Sequence, residues 1–145
     1  MNWAVLAVLA VAFACSVMVM LAQHTEVRVS ARGVEESGVV SHTVSGWDEV
    51  EAVELGCAEV CARDVVRYDL RLAGGRRLEA LTGCASAEKL RALEQVDALA
   101  REHHVPRRRA THASGAPFWE QGCVERVAGS TGVDASVLAR MLALE

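Results

Sequence analysis

Apolar and polar positions follow one rhythm at a time along this chain, and each change of rhythm predicts a new element. From Trp3 to Ala22 the run WAVLAVLAVAFACSVMVMLA contains no charged residue. At 1.5 Å rise per residue such a helix covers roughly 30 Å, the hydrocarbon thickness of a bilayer. Trp3 at one end and Gln23-His24 at the other suit the two interfaces. Polar and apolar residues then alternate over Glu26–Ser30, the period of a half-buried strand. Gly38–Val44 predicts a second strand, closed by Ser45-Gly46. Trp47 opens a third segment with Val50, Val53 and Leu55 as its apolar positions. In Val65–Leu72, Val66, Tyr68, Leu70 and Leu72 share one face. Ala73-Gly74-Gly75-Arg76 predicts a hairpin turn, because Gly-Gly supplies the positive φ of tight turns, and Arg77–Leu81 returns as the partner strand.

The period then lengthens. Ser86 is placed to cap a helix in which Leu90, Leu93, Val96 and Leu99 form an apolar face through to about His104, and Pro106 ends it. Residues 106–117 have no periodicity and predict a linker. Trp119–Ala128 and Asp134–Leu144 predict two short helices split by Gly129-Ser130-Thr131-Gly132, too short to stand without docking. The expected organisation is an anchor at 1–23, an α+β domain at 24–105, the linker at 106–117 and a helical pair at 118–145. In that domain a small antiparallel β-meander is closed by one amphipathic helix.

This layout resembles bacterial pleckstrin-homology-like (PH-like) domains of small membrane proteins. The resemblance covers about Glu26–His104. It rests on Gly33 after the first strand, Trp47-Asp48-Glu49-Val50 before the third, the Tyr68/Leu70 strand and the Gly74-Gly75 turn. It implies a partial barrel closed by a helix and no particular activity. The chain departs from the family in its short β-region and its single membrane helix, where such proteins often have two.

Charge changes the picture in two places. The first 22 residues hold no Asp, Glu, Lys or Arg, so the net charge of −4 belongs to the rest. Eight acidic and two basic residues lie between Glu26 and Glu59. That balance argues against general nucleic-acid binding, and residues 118–145 lack the basic side chains that a recognition helix brings to phosphates and bases. The apolar run is too long, and its leading residues too uncharged, for the usual cleaved signal peptide, the main rival to an uncleaved anchor. Ala12-Phe13-Ala14 before Cys15 resembles a bacterial lipoprotein cleavage site, which is the third reading. Arg28 and Arg32 follow the helix and no basic residue precedes it, so the positive-inside rule assigns the domain to the cytoplasmic side.

Candidate chemistry is sparse. Arg101, Arg107, Arg108 and Arg109 form a basic concentration that can either meet anionic lipid headgroups or complement a helix C-terminus without any ligand. Outside the anchor, Cys57, Cys61, Cys84 and Cys123 allow two disulfides in three connectivities on an oxidising face, or free, partly buried thiols on a reducing one. Cys57-x3-Cys61 has no second close pair, so no zinc site is expected. No phosphate-binding loop, dinucleotide fingerprint, nucleophile elbow or zinc-protease pair is present. The reading is a membrane-anchored, non-enzymatic interaction or scaffold module, with the bilayer and a protein as partners and no cofactor. Its rivals are an exported envelope domain with two disulfides and, third, a membrane-bound regulator using its C-terminal helices on DNA.

Overall fold

The computed structural model describes residues 2–23, 26–39, 41–83 and 85–145. Helix α1 (Trp3–Gln23) is one uninterrupted apolar helix, and its window Trp3–Met20 is long and apolar enough to cross a membrane. A signal sequence passes the same test. None of that window is buried against the rest of the protein.

The remainder is α+β, with two sheets rather than one meander. The first sheet is an antiparallel hairpin extended by a third strand, in the order β1 (Glu26–Ser30), β2 (Gly33–Ser37) and β3 (His42–Ser45). The strand expected over Gly38–Val44 is instead a turn followed by β3: Gly38 N–H donates to Ser41 O, which reverses the chain before His42. Val40 lies outside the described residues. Acid-rich β2 becomes a strand because it is the middle of three, held on both edges. Gly33 is required there. Its φ is +144° and a Cβ would collide with the Ser45 carbonyl.

Trp47 lies in a single 3-10 turn (Trp47–Glu49) and leads into β4 (Val50–Val60). Strands β5 (Arg63–Leu72) and β6 (Arg77–Gly83) follow in antiparallel order, and helix α2 (Ala87–Glu102) crosses to β7 (Arg107–Arg109). The second sheet therefore runs β6-β5-β4-β7, with β7 parallel to β4. The expected linker at 106–117 is corrected here. Arg107, Arg108 and Arg109 pair with Val53, Glu54 and Leu55, because the free edge of β4 is completed by main-chain N–H and C=O groups, which a segment of any side-chain polarity can supply. Helices α3 (Cys123–Thr131) and α4 (Ala135–Met141) close the chain; α3 starts four residues later than expected and continues through Gly129-Ser130-Thr131, so the break falls only at Gly132, whose left-handed backbone ends the helix.

One core joins these elements. Val53, Leu55 and Cys57 of β4 share a face with Val66, Tyr68 and Leu70 of β5, and all six are fully buried. α2 places Leu90 and Leu93 on that face, α3 places Val124 and Val127, and α4 places Leu138 and Met141. Burying an aliphatic side chain of this size contributes about 1.5–3 kcal/mol each, which is why these alternate positions of β4 are apolar. The opposite face is charged. Glu54, Asp69 and Glu79 stand side by side across β4, β5 and β6 and are met by Arg67, Arg71, Arg77 and Arg108 at 2.9–3.9 Å. Closure of the two sheets into a PH-like barrel is absent among the described residues: β3 and β4 are not hydrogen-bonded neighbours.

Candidate functional site

The four arginines do not form one solvated patch. Arg107 is 7 % exposed at its side chain and reaches the Asp97 carboxylate at 2.6 Å. It also donates to the carbonyls of Ala143 and Met141. Arg101 bonds Asp97 at 2.9 Å and the carbonyls of Arg140 and Glu145. Arg109 donates to Leu55 O and Leu142 O while its guanidinium lies 3.9 Å from the Trp119 ring centre. Three guanidinium groups thus satisfy the carbonyls at and just beyond the end of α4, where helix C-termini leave acceptors without partners and attract cations. Arg108 alone points the other way, half-exposed and paired with Glu54 at 3.2 Å.

At the centre of that cluster sits Asp97, buried on α2, with Tyr68 Oη donating to it at 2.8 Å from the core face of β5. Burial and the adjacent Asp97 charge hold the Tyr68 phenol far above its ordinary range. On the charged face, burial pushes the Asp69 carboxyl up, and the Arg67 guanidinium at 2.9 Å partly offsets this. Both groups are held by partners.

The cysteines are brought together selectively. Cys57 in the middle of β4 and Cys123 at the first turn of α3 form a disulfide with their Cα atoms 5.8 Å apart, and both are fully buried. Backbone hydrogen bonds brace the same place: Cys57 N–H donates to Phe118 O and Glu120 N–H to Cys57 O. Arg126 of α3 adds a two-pronged pair to Asp64 of β5 at 2.8–3.1 Å. Cys61 is exposed and reduced at the β4–β5 hairpin tip, Cys15 is exposed on α1, and Cys84 lies outside the described residues. Among the described residues no group of three His, Cys, Asp or Glu side chains could hold a metal ion.

The surface of the described residues also carries open clefts, and sequence patterns pointed to neither of the following two. One, of about 650 Å³, lies on the charged face between Arg67, Arg77 and Glu79 and the His112–Phe118 segment. The other, of about 520 Å³, is lined mostly by small and aliphatic side chains of β1 and α2, with Glu79 and Ala80 of β6 at one side. Their walls come from segments far apart in sequence, so only the pairing of strands could reveal them. No family model, curated protein or solved structure matches this chain.

Proposed function

We propose that this chain is a membrane-tethered, non-enzymatic binding module whose folded domain stands on the oxidising, non-cytoplasmic face of the membrane. The observation that carries the reading is the buried Cys57–Cys123 bridge between the central strand and α3. Disulfides persist in exported and envelope compartments, whereas the cytosol keeps thiols reduced. This weighs more than Arg28 and Arg32, whose position after the apolar helix favours the opposite side. The uncleaved helix α1 supplies the tether, since its apolar run exceeds that of an ordinary signal peptide. Two three-stranded units followed by α2 support a PH-like plan for Glu26–Glu102, to which β7 and the disulfide-linked α3 are additions. Binding rather than catalysis is favoured because the charged side chains clustered around Asp97 are spent on one another and on backbone carbonyls.

The test is thiol labelling of the full chain in its native membranes. After denaturation without reductant, Cys57 and Cys123 are expected to resist a maleimide that adds mass, and to react once reduced. Labelling of both without reductant would sink the exported reading. Loss of the N-terminal segment from the mature chain would sink the tether while leaving the compartment intact.

A further inference from the structure

The mainly apolar cleft borders a strand edge that no strand among the described residues completes. β1 and β2 are joined by the two-residue turn Ala31-Arg32, with Ser30 opposite Gly33. In a hairpin that short the residues flanking the turn exchange both hydrogen bonds, and the pattern alternates from there. Glu26, Arg28 and Ser30 therefore bond to β2, while the N–H and C=O groups of Val27 and Val29 point outward from the sheet. β1 is the terminal strand of its sheet, and β6, on the far side of the cleft, is the terminal strand of the other. The side chains of Val27 and Val29 line the cleft together with Ala80 of β6 and Ala92, Val96 and Leu99 of α2.

Proteins usually blunt such an edge by keeping it short, by charge, or with a proline or a bulge. β1 is five residues long and carries Glu26 and Arg28 on its exposed face, but it has no proline and no bulge, and the face of Val27 and Val29, both half-buried, carries no charge. We propose that the cleft between β1 and α2 receives an extended segment of a partner protein, with apolar residues at alternate positions, which adds to β1 as a further strand. Strand addition draws affinity from main-chain hydrogen bonds and selectivity from pockets for alternate side chains. Both parts are present here: outward N–H and C=O groups at Val27 and Val29, and beside them a floor of valine, alanine and leucine rimmed by Glu79, Lys89 and Gln95. An acyl chain would fit the lining but leave those backbone groups without partners, a cost that a peptide avoids. The inference rests on the binding-module reading and names its ligand class.

The test uses the full chain in detergent or nanodiscs and a random-peptide display library. Enriched peptides are expected to share alternating apolar residues, and synthetic copies should slow amide exchange at Val27 and Val29. Ala92 is exposed on α2, so Ala92→Trp fills the cleft without entering the core and should weaken binding on the order of tenfold or more. Val44→Ala, on the exposed face of β3, should leave binding unchanged. Methylation of alternate backbone nitrogens in the peptide should abolish binding in one of the two registers. The proposal is overturned if no peptide is enriched, if Ala92→Trp binds as well as the parent, or if binding leaves Val27 and Val29 unprotected. It is equally overturned if a fluorescent fatty acid, rather than any peptide, proves to be the ligand that Ala92→Trp excludes. The labelling pattern of Cys57 and Cys123 is independent of all these outcomes, so failure here leaves the compartment reading testable by itself.

Discussion

At 5 % exposure the Asp97 carboxylate is held by three donors, Tyr68, Arg101 and Arg107. Removing the carboxylate leaves the Arg107 guanidinium buried without a counter-charge, and breaking such a pair costs about 3–5 kcal/mol. Asp97→Ala is therefore expected to lower the urea midpoint sharply, whereas Arg108→Ala, at a half-exposed pair, should change the unfolding free energy by less than about 1 kcal/mol. Tyr68 makes a second prediction that can be read without mutation, because it is the chain's single tyrosine. Its folded pKa lies above the unfolded value of about 10, so its contribution is intact below that pH. As pH rises beyond it, the unfolded state loses the proton first and stability falls. In an alkaline titration followed by tyrosinate absorbance, the phenolate is expected only as the fold itself is lost; a smooth titration of native protein near the ordinary tyrosine range would contradict the buried Tyr68–Asp97 bond.

The β4–β5 hairpin turns on Cys61 and Ala62, both in the left-handed region at φ 51° and 61°. Non-glycine residues with a Cβ resist that conformation by about 1–2 kcal/mol. Ala62→Gly should thus raise stability by about 0.5–1 kcal/mol, with an unchanged denaturant slope. Elements whose signal is local were legible in the chain: the apolar stripe of α2 behind its Ser86 cap, the Gly74-Gly75 turn, and the alternation of Glu26–Ser30. β7 was not, since Arg-Arg-Arg has no strand character and becomes one only because β4 and the carbonyls around the end of α4 accept its donors. β2 was hidden by its acids and by the turn at Gly38. The basic run of the sequence was visible, but whether it faced lipid or a helix end depended on where α4 docks. Nor could spacing have chosen Cys57 and Cys123 among the pairings open to four cysteines.

Across the molecule, the disulfide joins positions 66 residues apart and holds α3 on the central strand. Replacing both cysteines by alanine is expected to cost roughly 2–5 kcal/mol, measured by urea unfolding, and reductant should destabilise the parent but not the variant. With α1 in place the full chain should stay with membranes through alkaline carbonate extraction, and release would remove the tether. The bridge also sets the order of events when an exported chain first meets oxidant. On the proposed exported topology, Cys57 and Cys61 would cross the membrane early and close together, and Cys84 would follow, all before Cys123. The first partners open to Cys57 would then be non-native ones, and any bond formed with them has to be resolved by thiolate attack before the native bridge can close. Yield of correctly bridged protein should then depend on a disulfide isomerase as well as on an oxidase, and replacing Cys61 and Cys84 should relieve that dependence.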